Sequence, residues 1–217
     1  WERNFILETE AKNTAPALAL SALHLNRIDP DGIMIVLSAD HAIRNVEAFR
    51  ACIATAARAA AQDYLVTLGI KPNRPETGYG YIKAGQPCQE AGAGGVCRVE
   101  RFVEKPDLTT AQGYLASGQY YWNSGMFVWK VRTFLKEIER HMPSLHEGLE
   151  QVRKSIGSGT ETEAVRSMFA QLQSVSVDYG IMEKTDRAAV VPADIGWSDV
   201  GSWTALEEVT DKDASGN

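Results

Sequence analysis

Two of the chain's carboxylates stand where a metal ion could be held against a phosphate. Asp40, in Ser38-Ala39-Asp40-His41, follows the apolar run at residues 33–37, at the point where a strand would end. In an open α/β sheet, ligands bind in the crevice beyond the carboxyl ends of the strands. A carboxylate there can hold Mg2+ against a phosphate, because this hard cation takes oxygen ligands and few of them from protein. Asp40 suits the cap of a following helix equally well. Asp199 lies in the glycine-flanked loop Gly196-Trp197-Ser198-Asp199-Val200-Gly201-Ser202-Trp203, again with a helix cap as the alternative.

Three further segments supply hydrogen-bonding groups. In Arg74-Pro75-Glu76-Thr77-Gly78-Tyr79-Gly80-Tyr81, two glycines one residue apart let the backbone approach a ligand closely. The alternative is a tight turn with two packed tyrosines. In Phe102-Val103-Glu104-Lys105-Pro106, the carboxylate can take sugar hydroxyls and the ammonium a phosphate, unless the two form only an exposed ion pair. Tyr120-Tyr121-Trp122-Asn123-Ser124-Gly125 sets three aromatics before an expected Asn-Ser-Gly turn, an apolar wall beside a hydrogen-bonding tip as carbohydrate sites often need. Hairpin packing accounts for those rings but less well for Asn123. Each segment alone is ambiguous; their joint occurrence is not.

Alternating helix-like and strand-like stretches must position these loops. Residues 13–25 are Ala/Leu-rich with apolar spacings of three and four, predicting a helix that begins near Thr14. Residues 33–37 form a continuous apolar run, which predicts a strand buried on both faces. A helix at 45–61 and a strand at Leu65–Ile70 complete a βαβ reading and a doubly wound sheet. Residues 71–95 are rich in Gly and Pro and predict a loop with one short strand at 79–83. Strands follow at 98–103 and 125–131 around a helix at 109–117. Residues 132–173 form helices broken at Pro143 and Gly157-Ser158-Gly159, and a strand at 188–191 and a helix at 202–209 close the chain.

Composition narrows the class. The 217 residues are 44% hydrophobic and 23% charged, which suits a soluble globule with a sizeable core. The net charge of −6 and the lack of a basic stripe argue against a nucleic-acid partner. Apolar runs are too short to span a membrane, and no stretch reads as a signal peptide. Cys52, Cys88 and Cys97 show no metal-ligand spacing and predict reduced thiols; a Cys88–Cys97 bridge across the Gly-rich loop is the alternative, which nothing in the sequence requires.

Taken in order, the segments resemble the bacterial mannose-1-phosphate guanylyltransferases. Asn13-Thr14-Ala15-Pro16, Ala39-Asp40-His41, Pro75 to Ile82, Phe102 to Asp107, Tyr121 to Phe127, Asp178-Tyr179 with Met182-Glu183-Lys184, and Gly196 to Trp203 carry the likeness, at near-family spacing from about residue 7 onward. The resemblance implies an α/β, Rossmann-like fold of the nucleotide-diphospho-sugar transferase type, with a doubly wound, mixed, mainly parallel sheet. It implies Asp40 and Asp199 as metal-binding aspartates for Mg2+, and Lys105 facing the sugar phosphate. It further implies Gly80, Glu104 and Asn123 as sugar contacts, Asn13 and Thr14 near the nucleotide base, and Asp178 near the sugar. The implied substrates are GTP and mannose 1-phosphate, in a cytoplasmic enzyme that is compatible with homo-oligomers. No histidine constellation is called for: His24, His141 and His146 suit helix surfaces, and His41 a structural part.

The sequence departs from the family in one large respect. Relatives carry a Gly-x-Gly-Thr-Arg-Leu-Trp-Pro loop after a first strand, and these residues contain neither, so a partial nucleotidyltransferase domain over residues 1–217 is expected, inactive by itself toward GTP. Thr9 and Lys12 stand where relatives usually have Pro and Arg. Two rivals accompany the main expectation: an enzyme for another sugar 1-phosphate such as glucose 1-phosphate, and a catalytically silent nucleotide-sugar-binding domain.

Overall fold

Small residues at helical spacing start the fold. Ala15, Ala19 and Ala22, with Leu20 and Leu23 beside them, are at most 1% exposed and form the inner stripe of α1 (Thr14–Asn26). The computed structural model describes residues 4–88 and 94–201. Its helices continue with α2 (Val46–Ala60), α3 (Leu108–Ser117), α4 (Val131–His141), α5 (Pro143–Ser155) and α6 (Glu161–Gln171), then a π-helix at Asp178–Met182. The strands are β1 (Ile33–Val36), β2 (Ala42–Ile43), β3 (Leu65–Ile70), β4 (Tyr81–Pro87), β5 (Cys97–Val103), β6 (Tyr120–Lys130), β7 (Ala188–Ala193) and β8 (Trp197–Ser198). The helix expected at 202–209 lies outside the described residues. Among those described, no helix is long and apolar enough to cross a membrane, and Cys52, Cys88 and Cys97 are free thiols.

The chain divides into two compact units. The first comprises Trp1–Met34, Asp63–Leu65 and Trp129–Ala188. It is helical: α1 packs on α4 and α5, and α5 on α6. Its core includes Phe134, Ile138, Leu145, Val152 and Phe169, with Trp129 stacked on Phe134 at 4.3 Å. Pro143 opens α5 at a first-turn position, where a missing N–H costs nothing.

The second unit comprises Ile35–Gln62, Val66–Val128 and Ala189–Asn217, and holds most of the sheet. Strand order is β1-β6-β3-β7-β5-β4, and β6 also pairs with β4. The expectation of a mainly parallel sheet is corrected here. Four of the six pairings, β3–β6, β5–β7, β4–β5 and β4–β6, are antiparallel. Short apolar runs look alike in either kind of sheet, and the long β4–β5 hairpin is hidden in glycine-rich sequence. A second correction concerns β1. It is a sheet edge rather than a strand buried on both faces: Ile35 is 45% exposed, as is Leu37 just beyond at 49%.

A third difference shapes the site. The Asn123-Ser124-Gly125 segment is not a turn but the middle of β6, an 11-residue strand. Thr67 pairs with Phe127 and Gly69 with Asn123, so Leu68 of β3 faces three residues of β6. The bulge is held by Ser124 Oγ donating to Leu68 O (2.7 Å), and Gly125 takes the left-handed φ of 70° that it requires.

Candidate functional site

A short antiparallel ribbon sets the two acidic loops side by side. β2 and β8 pair Ala42 with Ser198 and Ile43 with Trp197. The ladder continues through Arg44 N–H to Gly196 O (3.3 Å) and Asn45 N–H to Ile195 O (3.0 Å). His41 and Asp199 are the next residues beyond the Ala42–Ser198 pair, and Asp40 precedes His41. The electrostatics agree. Burial lowers the pKa of His41 below its ordinary value, against the fields of Asp40 and Asp199, which both act to raise it. Asp40 does not cap the next helix; Asn45 does, its Oδ1 accepting from Ala48 N–H at 3.0 Å.

His41 is fixed as a neutral ring. The indole of Trp197 can only donate, and its Nε1–H reaches His41 Nδ1 at 3.1 Å, so that nitrogen carries the lone pair. The two rings meet edge to face at 5.3 Å. Trp197 in turn packs on Tyr79 (5.4 Å), and Tyr79 on Trp122 (5.2 Å). The Arg74 guanidinium covers the Trp122 ring at 5.3 Å. This aromatic wall ends on Asp199: Tyr79 donates its phenolic hydrogen to Oδ1 at 2.7 Å, and Gly201 N–H donates to the same oxygen at 3.2 Å. Tyr79 has its pKa raised, by burial first and then by the carboxylate it faces. Val200, between Asp199 and Gly201, takes a φ of 51°, a strained value for a β-branched residue.

Gly80, Glu104 and Asn123 come together in the same unit. Glu104 lies with its carboxylate against the α-carbon of Gly80, and Asn123 flanks that glycine from β6. Asn123 N–H donates to Gly80 O at 2.8 Å, and its Oδ1 accepts from Thr67 Oγ1 at 3.0 Å. Asn123 is therefore aimed by the bulge and held by Thr67, while Glu104 is only 15% exposed. Lys105 is 63% exposed, with its Nζ 3.7 Å from Glu104 Oε1. Its φ of 46° is unusual, the more so before Pro106. Glu76 stiffens the adjoining loop. Its pKa is lowered first by the Gly78 N–H, and its Oε1 accepts from Thr77 and Gly78 at 3.0 Å each.

Asn13, Thr14 and Asp178 belong to the first unit and form a cluster of their own. Asn13 has φ 69° and ψ −172°, a region used almost only by glycine, and its Oδ1 accepts from Thr14 N–H. Thr14 Oγ1 accepts from Val177 N–H at 2.8 Å, next to Asp178, which starts the π-helix. Val175 is bonded on both sides, to Lys12 O and from Ala15 N–H. A cavity of about 1030 Å³ in this unit, lined by Leu20, His24, Ile28 and Val165 among others, contains none of the expected site residues.

Thr67, Arg74, Tyr79 and Trp197 also shape these sites, and sequence reasoning assigned none of them a part. Arg74, Tyr79 and Trp197 stood only as members of the motif segments, Tyr79 as one of two packed tyrosines, and Thr67 did not stand out at all. Placing them requires the bulge and the ribbon.

Comparison with known proteins completes the picture. The family model described as nucleotidyl transferase matches residues 1–216. The chain is 49% identical over 213 residues to the xanthan biosynthesis protein XanB of Xanthomonas campestris pv. campestris (strain B100), covering 98% of this chain and 44% of that protein. It is 46% identical over 215 residues to a mannose-1-phosphate guanylyltransferase of Klebsiella pneumoniae, covering 99% and 45%. A crystal structure from Thermus thermophilus, described as a mannose-1-phosphate geranyltransferase, superposes with a TM-score of 0.83 at 39% identity, covering 96% of this chain and 58% of that one. The chain thus spans less than half the length of these curated relatives.

Proposed function

This chain belongs to the nucleotidyl transferase family, and on that premise we propose that the whole protein is a mannose-1-phosphate guanylyltransferase. It would join GTP and α-D-mannose 1-phosphate into GDP-mannose and pyrophosphate. A phosphate oxygen of the sugar attacks the α-phosphorus of GTP in line. A new P–O bond forms there, and the bond to the oxygen bridging to the β-phosphorus breaks, so pyrophosphate leaves with the electron pair. With a second pKa of about 6, the sugar phosphate is already mostly dianionic near neutral pH and needs no protein base. The protein's work is positioning and charge neutralisation.

The observation that carries this reading is the seating of Glu104 on Gly80 beside Asn123, with the Lys105 ammonium next to it. On this reading Glu104, Gly80 and Asn123 take the sugar hydroxyls and Lys105 the sugar phosphate. Asp40 and Asp199 would hold Mg2+. The donor chemistry fits: the two carboxylates are hard oxygen donors that both act on His41, whose ring Trp197 holds neutral. When bound, that ion offsets negative charge on the phosphates. Asn13 and Thr14 for the base, and Asp178 for the sugar, rest on the family resemblance. The reading also requires a glycine-rich loop for the triphosphate; the Gly-x-Gly-Thr-Arg-Leu-Trp-Pro motif does not occur in these 217 residues. A cytoplasmic location, which the free thiols suit, goes with it.

The test is a substrate panel on the full-length protein: each nucleoside triphosphate against mannose 1-phosphate and glucose 1-phosphate, following pyrophosphate release. GTP with mannose 1-phosphate should give the highest kcat/KM. A preference for glucose 1-phosphate, or binding without turnover, would overturn the assignment.

A further inference from the structure

Asp199 presents its two oxygens unequally. Oδ1 accepts from the Tyr79 hydroxyl at 2.7 Å and from Gly201 N–H at 3.2 Å. A carboxylate oxygen offers about two lone-pair sites, so these two donors fill Oδ1, and Oδ2 is the oxygen that a ligand could take. Tyr79 cannot easily swing away. Its ring is wedged between Trp122 and Trp197 at 5.2 and 5.4 Å, and Trp197 is tied to His41.

We propose that Tyr79 is a positioning residue that keeps Asp199 a one-oxygen ligand and so selects a small octahedral cation over a larger one. The inference rests on the metal assignment made above. Mg2+ demands near-octahedral geometry at about 2.0–2.1 Å and binds carboxylates through a single oxygen, whereas Ca2+, at about 2.3–2.6 Å, readily takes both. With Oδ1 filled by Tyr79 and Gly201, two-oxygen chelation by Asp199 is closed. Removing only the phenolic hydroxyl leaves the ring contacts and reopens one site on Oδ1.

The experiment is calorimetric titration of the full-length protein, freed of metal by chelation, with Mg2+ and with Ca2+ separately. The wild type is compared with Tyr79→Phe and Asp199→Asn. Tyr79→Phe should shift the ratio of the two dissociation constants about tenfold toward Ca2+. The Mg2+ concentration for half-maximal turnover should rise while the KM for mannose 1-phosphate holds. Asp199→Asn should weaken both ions. If Asp199→Asn binds both like wild type, the metal assignment itself fails and this inference with it. If Asp199→Asn loses metal but Tyr79→Phe keeps the wild-type ratio, with or without a lower Tm, only the positioning part is overturned. Carboxylate infrared bands of the wild type, assigned by their loss in Asp199→Asn, give a second reading independent of whether the Tyr79 variant folds. A one-oxygen band separation with Mg2+ and Ca2+ alike supports the proposal, and a two-oxygen separation with Ca2+ refutes it.

Discussion

Glu104 rests its carboxylate where a side chain of Gly80 would stand, and Asn123 closes on the same space. A methyl group at residue 80 would collide with Glu104 Oε2 and sit 3.3 Å from Asn123 Cβ. Glycine is required here for close approach, not for an unusual backbone angle. The same methyl at Gly78 would meet nothing closer than 3.4 Å. Gly80→Ala should therefore displace Glu104 and raise the KM for mannose 1-phosphate about tenfold or more, with a stability loss of about 1–3 kcal/mol. Gly78→Ala should do neither. Steady-state kinetics beside thermal unfolding checks both, and a wild-type KM for Gly80→Ala would count against the sugar assignment.

Lys105 is exposed yet strained, as a group held ready for an anion would be. Lys105→Ala should lower kcat/KM for mannose 1-phosphate by about 10- to 100-fold, the worth of a hydrogen bond to a charged group at ~1.5–3 kcal/mol. Stability should hardly change, because the Glu104 contact at 3.7 Å is solvent-screened. An unaltered rate would remove Lys105 from the phosphate site.

Asp63 sets an acid limit on the first unit. It accepts from Thr133 Oγ1 at 2.6 Å and from the buried Lys130 at 2.9 Å, and these bonds, Thr133 first, lower its pKa below the ordinary aspartate value. A carboxyl whose folded pKa is depressed contributes stability that is full above the unfolded value. That stability is lost as pH falls through the lowered folded value. Asp63→Asn should flatten that part of the stability profile below about pH 4. At pH 7 it should lower stability by about 1–2 kcal/mol. Urea unfolding at several pH values would show it, and an unchanged acid limb would refute it.

Thr14 ties the start of α1 to the segment leading into Asp178. Thr14→Val removes the acceptor for Val177 N–H and should cost about 1–2 kcal/mol, with Thr14→Ser restoring most of it. If Asn13 and Asp178 serve the substrates as proposed, Thr14→Val should also raise the KM for GTP and for mannose 1-phosphate. Equal stability of the Val and Ser variants would show that the bond matters little.

Much of this was legible in sequence where the information is local. The inner stripe of α1, the buried β3, the extent of α2 and the helices broken at Pro143 and Gly157 follow from periodicity and punctuation over a few residues. Asp40 suits the cap of α2 in sequence, but Asn45 takes that place. The motif segments were legible too, because they occur together in one chain, although each alone had a structural alternative. What escaped was long-range. The strand direction of most sheet pairings, the edge position of β1 and the two-residue ribbon strands β2 and β8 depend on partners far along the chain.

The sequence by itself determined which residues are chemically equipped: Asp40, Asp199, Gly80, Glu104, Lys105 and Asn123 are all visible there. It did so because side-chain chemistry and short-range backbone preference are properties of the local string. Tertiary structure alone decided how they meet. Register across β2–β8 sets Ala42 against Ser198, so that the loops of Asp40 and Asp199 start from neighbouring residues. The β6 bulge puts Asn123 against Gly80, and Tyr79 finds Asp199 across 120 residues. Such encounters are decided by packing and pairing of the whole sheet, and no window of sequence contains both partners.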